Sequence, residues 1–143
     1  MDEEQYIYND EQTFDLNNMF LETPALPADK RLVLEEVSVR IIMNSVLAER
    51  GIGTYAVITT IANGQESTYD FPFTNISPEW VYNEGKGLHI RTFIASYPVK
   101  LYADAGSIIK IGVSIEESEG RYARMRYINA TIKISLSGVL IKI

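Results

Sequence analysis

From residue 30 to the C-terminus, apolar residues recur at every second position, and that period decides the fold class. Val33, Val37, Val39 and Ile41 share one parity, against Glu36, Ser38 and Arg40 on the other, so residues 32–42 read as a strand. Residues 55–62 follow, rich in Val, Ile, Thr and Tyr, and end at Asn63-Gly64. That dipeptide suits the two positive-φ positions of a tight hairpin turn. Beyond it Ser67, Tyr69, Phe71 and Phe73 alternate with polar partners, which predicts that 65–73 pairs with 55–62. Residues 88–95 and 99–103 read as two more strands parted by Tyr97-Pro98, and Asp104-Ala105-Gly106 as a turn. Ile109, Ile111, Val113 and Ile115 then stand opposite Lys110, Gly112 and Ser114.

The last run, from Arg121 onward, is strand-like almost throughout. Ile132, Ile134 and Leu136 have one parity and Val139, Ile141 and Ile143 the other, which predicts a β-bulge or bend near Ser137-Gly138. No amphipathic run of helical length competes with these strands. The expectation is an all-β fold: an antiparallel two-sheet sandwich of about seven or eight strands.

A chain of 143 residues, 46% hydrophobic and 22% charged, suffices for one domain with its own core. Its charge is lopsided. Residues 1–29 hold Asp2, Glu3, Glu4, Asp10, Glu11, Asp15, Glu22 and Asp29 with no Lys or Arg. Taking those eight from the 19 acids leaves 11 against all 13 basic residues in the remainder. We therefore read 1–29 as an acidic arm and linker, broken at Pro24 and Pro27, and 30–143 as the sandwich domain. Asn17-Asn18 weakens a short helical turn over 13–21. The arm's aromatics, Tyr6, Tyr8, Phe14 and Phe20, are costly to leave in water, so parts of it are expected to dock on the body or on a neighbouring copy. An acidic arm on a near-neutral body argues against nucleic acid and anionic membranes as partners. No signal peptide or apolar spanning run is visible, so the expected location is the cytoplasm.

Three stretches together carry a resemblance: Ala28-Asp-Lys-Arg-Leu-Val-Leu-Glu-Glu-Val-Ser-Val39, Phe93-Ile-Ala-Ser-Tyr-Pro-Val-Lys-Leu-Tyr-Ala-Asp-Ala-Gly106 and Ser135-Leu-Ser-Gly-Val-Leu-Ile141. In this order they resemble a group of small uncharacterised bacterial proteins with the pattern Lys-Arg-Leu-Val-Ile-Glu, Val-Arg-Leu-Tyr-Ala-Asp-Pro-Gly and Ser-Gly-Tyr-Leu-Val. Ala105 stands where that group often has proline, and Val139 follows Gly138 where it has tyrosine. The resemblance spans roughly residues 24–143 and implies a jelly-roll-like β-sandwich of unknown function. It brings no chemistry.

The residues themselves offer little catalysis. Cysteine is absent, which removes thiol nucleophiles and zinc–thiolate sites, and a single histidine, His89, precludes a multi-histidine metal site within one chain. No Gly-x-Ser-x-Gly elbow presents a serine. Gly51-Ile-Gly53 precedes a strand rather than a helix, so it reads as a turn and not a phosphate loop. Glu116, Glu117 and Glu119 lack the ligand spacing of a calcium loop, and Asn129-Ala-Thr131 is a chance sequon inside a strand. No catalytic residue, metal or cofactor is assigned.

Two segments remain. Residues 75–87 hold the only tryptophan, Trp80, with Glu79, Tyr82 and Asn83 beside it. An aromatic face with neighbouring Asn and Glu suits a sugar ring, although a tryptophan plugging the core is the plainer reading. Tyr122, Arg124 and Arg126 share one parity and form a small basic stripe, a place for the acidic arm or a partner to dock. The expected function is a non-catalytic, self-associating structural or binding module, that is, a homo-oligomer. A carbohydrate-binding module around Trp80 is the alternative, and a hydrolase using converged carboxylates the third.

Overall fold

The computed structural model describes residues 3–15, 20–44, 54–76, 80–82, 88–115 and 129–143. They are strand and turn throughout. In chain order the strands are β1 (Glu3–Asp15), β2 (Phe20–Glu22), β3 (Lys30–Asn44), β4 (Thr54–Ala62), β5 (Gln65–Pro72), β6 (Asn75–Ile76), β7 (Trp80–Tyr82), β8 (Leu88–Ala103), β9 (Lys110–Ile115) and β10 (Asn129–Lys142). One sheet runs β1-β10-β3-β8, with the short β6 and β7 both on the far side of β8, and the other runs β2-β9-β4-β5. All pairings are antiparallel. Setting aside β6 and β7, the first strand pairs the last, the second the next to last, and so inward to the β4–β5 hairpin. That nested order, rolled into two packed sheets, is a jelly roll.

The predicted hairpin is present in register, from Tyr55↔Pro72 to Ala62↔Gln65, with Asn63 at φ 54° and Gly64 at φ 75°. The acidic segment Glu3–Asp15 pairs β10 without interruption, from Glu3↔Ile141 to Asp15↔Asn129. Part of the arm thus docks on its own body, as a strand. Thr13–Asp15 and Phe20–Leu21 are extended rather than helical.

Between the sheets lies one apolar core that includes Leu32, Leu34, Val37, Val39, Ile41, Ile58, Phe93, Ile109, Ile111, Ile132, Ile134 and Leu136, all buried. Two expectations about facing need correction. β3 does not keep Val33 on the side of Val37: Leu32 and Leu34 point inward, then Val37, Val39 and Ile41 do. β10 does not switch faces: Ile132, Ile134, Leu136, Gly138 and Leu140 are all buried, which leaves Val139 and Ile141 outward. The bulge is where it was predicted, but its extra residue belongs to the partner strand. Ser137 pairs Glu36 and Gly138 pairs Leu34, so Glu35 is the unpaired residue that flips the parity of β3.

β8 is one strand, not two. Its disturbance at Tyr97-Pro98 is a register shift in which Glu36 pairs Pro98 and Leu34 pairs Leu101. Proline is tolerated there because β6 and β7 pair only Leu88–Ile90 and Phe93–Ile94, leaving the far side of Pro98 without a strand among the described residues.

Both long sides of the sandwich are closed by side chains. On the β5/β8 side Phe71 meets Tyr97 at 5.3 Å and Phe73 meets Phe93 at 5.5 Å between ring centroids, and the Tyr97 hydroxyl donates to the Pro72 carbonyl. On the β1/β2 side buried Thr23 accepts from the Ile109 amide at 3.1 Å and meets the Tyr6 phenol.

One end is also tied by backbone. Leu26 N donates to Ser107 O at 2.9 Å, Gly106 N to Pro27 O at 3.2 Å, and Asp104 N to Ile61 O at 2.7 Å. The Asp104 carboxylate accepts from the Asn63 and Gly64 amides at 2.8 Å each. Those bonds, Gly64's first, hold its carboxyl below the usual carboxylate range. A depressed folded-state pKa contributes stability above the unfolded value, about 3.9, that is lost as pH falls through the lower folded value. Amide protection factors at Asn63 and Gly64 are therefore expected to drop in that acid window. Asp104→Ala should show the same loss at neutral pH; unchanged protection in the variant would contradict the role.

Candidate functional site

Register collects the remaining strand termini at the end opposite the tied one. Asp15, Asn129 and Asn44 stand side by side, Asn44 pairs Ile90, Trp80 also pairs Ile90, and Thr54 pairs Ile115. Both segments nominated from the sequence attach here. Trp80 and Tyr82 lie in β7, opposite Ile90 and Leu88, while Glu79 and Asn83 lie outside the described residues. Tyr122, Arg124 and Arg126 also lie outside them, immediately before β10 begins at Asn129. The described part of β1 pairs β10. The first nominated cluster thus lies partly, and the second wholly, outside the described residues.

The corrected facing of β10 reveals a surface that the sequence reading missed. Its signal in the sequence is the shared parity of Val139, Ile141 and Ile143, which by itself predicts a bend in β10 rather than an outward apolar face. On the outward side of the large sheet, Gln5, Val139, Val33 and Tyr102 form one row across four strands. Glu3, Ile141 and Arg31 form the next row toward the tied end. Ile7 stands one row the other way, opposite Ser137. Ile7 is 60% exposed, Ile141 38%, Tyr102 38% and the terminal Ile143 74%. The Arg31 guanidinium lies over the Tyr102 ring at 5.0 Å, which keeps a cation within this apolar band. Beyond the row of Ile7, Ser137, Glu36 and Pro98, the row Asn9, Ser135, Ser38 and Ser96 has only small polar side chains.

Concavities offer less. One of about 150 Å³, on the outer face of the second sheet, is lined by Glu22, Thr59, Ile61, Glu66, Ile108 and Lys110. It lies well below the roughly 300–1,000 Å³ of ligand pockets. A larger one, of about 360 Å³, is lined by Glu3, Glu4, Asp29, Lys30 and Lys142, and Lys30 pairs with Glu4 there. Among the described residues no group of three or more His, Cys, Asp or Glu is placed to hold a metal ion. No helix among them is long and apolar enough to cross a membrane. Burial first, then the Asp10 carboxylate that accepts from its hydroxyl at 3.1 Å, pushes the Tyr8 phenol upward. That interaction raises a group already neutral at physiological pH, so it prepares no acid–base catalyst.

No protein-family model matches the chain, and no curated protein matches it by sequence.

Proposed function

We propose that this protein is a non-catalytic, self-associating structural module whose copies meet through the outward face of the β1-β10-β3-β8 sheet. The observation that carries this reading is the apolar band of Ile7, Val33, Tyr102, Val139 and Ile141 on a face whose further rows are mainly polar and charged, with Glu36, Arg40 and Lys133 among them. Strands of 13 residues, at about 3.3 Å per residue and 4.8 Å between strands, give a four-stranded face on the order of 800 Å². That is about the area one partner contributes to a standard interface.

The occupant argued for is a second copy, because the band carries both charges. Glu3 and Arg31 flank Ile141 in register, so a two-fold contact offers each cation an acid on the other copy. The bacterial group that the sequence resembles fits this reading, since the resemblance brings a fold and no chemistry.

Sedimentation velocity over a concentration series tests the idea. The wild type should show a concentration-dependent rise in sedimentation coefficient. Ile141→Lys, at a half-exposed position where stability changes are typically within about 0.5 kcal/mol, should run as a monomer with an unchanged circular dichroism spectrum. A monomeric wild type, or an Ile141→Lys variant that assembles equally well, would overturn it.

A further inference from the structure

β1 is the last strand of its sheet, and no described strand pairs its outer side. Its thirteen residues present about 43 Å of extended backbone there, at about 3.3 Å each. Such an edge is a row of hydrogen-bonding groups that readily accepts another strand. Proteins commonly blunt exposed edges with proline, a bulge or short length. β1 has no proline, its register on β10 is unbroken, and it is long.

What it does carry is charge of one sign: Glu3, Glu4, Asp10, Glu11 and Asp15, with no Lys or Arg. The acids stand on both faces, since Glu3 and Glu11 alternate with Glu4 and Asp10. Glu4 already holds Lys30. Between the acidic ends lie Tyr6, Ile7 and Tyr8, of which Ile7 is exposed and the tyrosines partly so. Two β1 edges laid together would set five carboxylates against five, so a second copy is the wrong occupant. A strand bearing Lys or Arg toward its ends and apolar residues in the middle complements both the charge and the chemistry.

We propose that the free edge of β1 is a docking site for an extended cationic segment of a partner protein, which adds to the large sheet as a further strand. The edge borders the self-association face and shares Glu3 and Ile7 with it, but strand addition there uses the backbone of β1 and does not depend on self-association.

The test uses the full chain at concentrations where sedimentation finds it monomeric, so that the edge is measured without assembly and without a new cation opposite Glu3. The probe is an acetylated nine-residue Lys/Val peptide, Lys-Lys-Lys-Val-Val-Val-Lys-Lys-Lys, which puts cations at both ends and apolar residues in the middle. Controls are the same peptide with Glu for Lys, and the Lys/Val peptide with a central proline, which keeps the charge but interrupts strand addition. Titration followed by amide exchange should show saturable binding of the first peptide, with new protection confined to residues 3–15. The central proline should weaken binding by about tenfold. The Glu peptide should not bind, and Glu3→Gln with Glu11→Gln should weaken the first peptide several-fold. Equal binding of the proline peptide would reduce the effect to diffuse electrostatics and overturn the proposal. So would protection gained elsewhere, or no binding at millimolar peptide. None of these outcomes bears on sedimentation of the wild type, which tests the self-association reading by itself.

Discussion

Gly138→Ala is expected to cost about 3–5 kcal/mol, a large share of the roughly 5–15 kcal/mol that holds a domain folded. Gly138 sits in β10 at the bulge, opposite Leu34, where the extra residue Glu35 lets the β3 backbone crowd toward its neighbour. A β-carbon added there would lie 2.9 Å from the Leu34 α-carbon and closer still to the Val33 carbonyl oxygen. Both are backbone atoms, so no side chain can swing aside; the two central strands must separate or the bulge must migrate. Moving the bulge would flip the parity of one strand and turn its apolar residues toward water. Gly64 is the control. It needs a positive φ of 75°, but no atom lies within 4 Å of the added carbon, so Gly64→Ala should cost only about 1 kcal/mol. Urea denaturation of the two variants reads the contrast, and equal midpoints would show that the close approach at Gly138 is not real.

Phe93→Ala should destabilise by a similar amount, about 3–5 kcal/mol. Phe93 is fully buried, lies opposite Ile41 on β3 and Ile76 on β6, and packs against Phe73 beyond the end of β5. Its ring therefore fills the core and also joins the two sheets along the β5/β8 side. Phe93→Leu, which retains most of the apolar volume, should recover more than half of the loss. If the alanine variant loses less than about 1 kcal/mol in denaturant titration, the sheets are not closed through this ring.

Much of the fold was legible because period-two burial is a local property. The β4–β5 hairpin could be placed from alternation plus Asn63-Gly64, since the turn chemistry fixes the register. The bulge was legible only in half. A change of parity in β10 pointed to an irregularity near Gly138, but Val139 and Ile141 stand on the outward side and the face of β10 does not turn. Burial and surface association call for the same residue types, and one strand's sequence does not separate them. The partner strand did hold the clue: Leu32 and Leu34 before Glu35-Glu36, and Val37, Val39 and Ile41 after, are out of phase by one residue.

The three stretches that carry the family resemblance meet at this same irregularity. The first supplies Glu35, the third Gly138, and the second the shift at Pro98–Leu101 together with the Asp104 turn that ties one end. The pattern is thus accounted for by backbone geometry. The outward apolar band was not legible, because it arises only when four strands distant in sequence set Gln5, Val139, Val33 and Tyr102 in one row.

Because the chain has no cysteine, single thiols can test that face directly. Thiol-labelling rates should be measured for Ile141→Cys and Leu140→Cys from about 1 nM to about 500 μM protein, because interfaces of this size range in affinity from micromolar to far tighter. The outward band as a self-association surface predicts that position 141 labels fast when dilute and slows as concentration rises, while position 140 stays protected throughout. Fast labelling at 140, or a rate at 141 that ignores concentration, would contradict it.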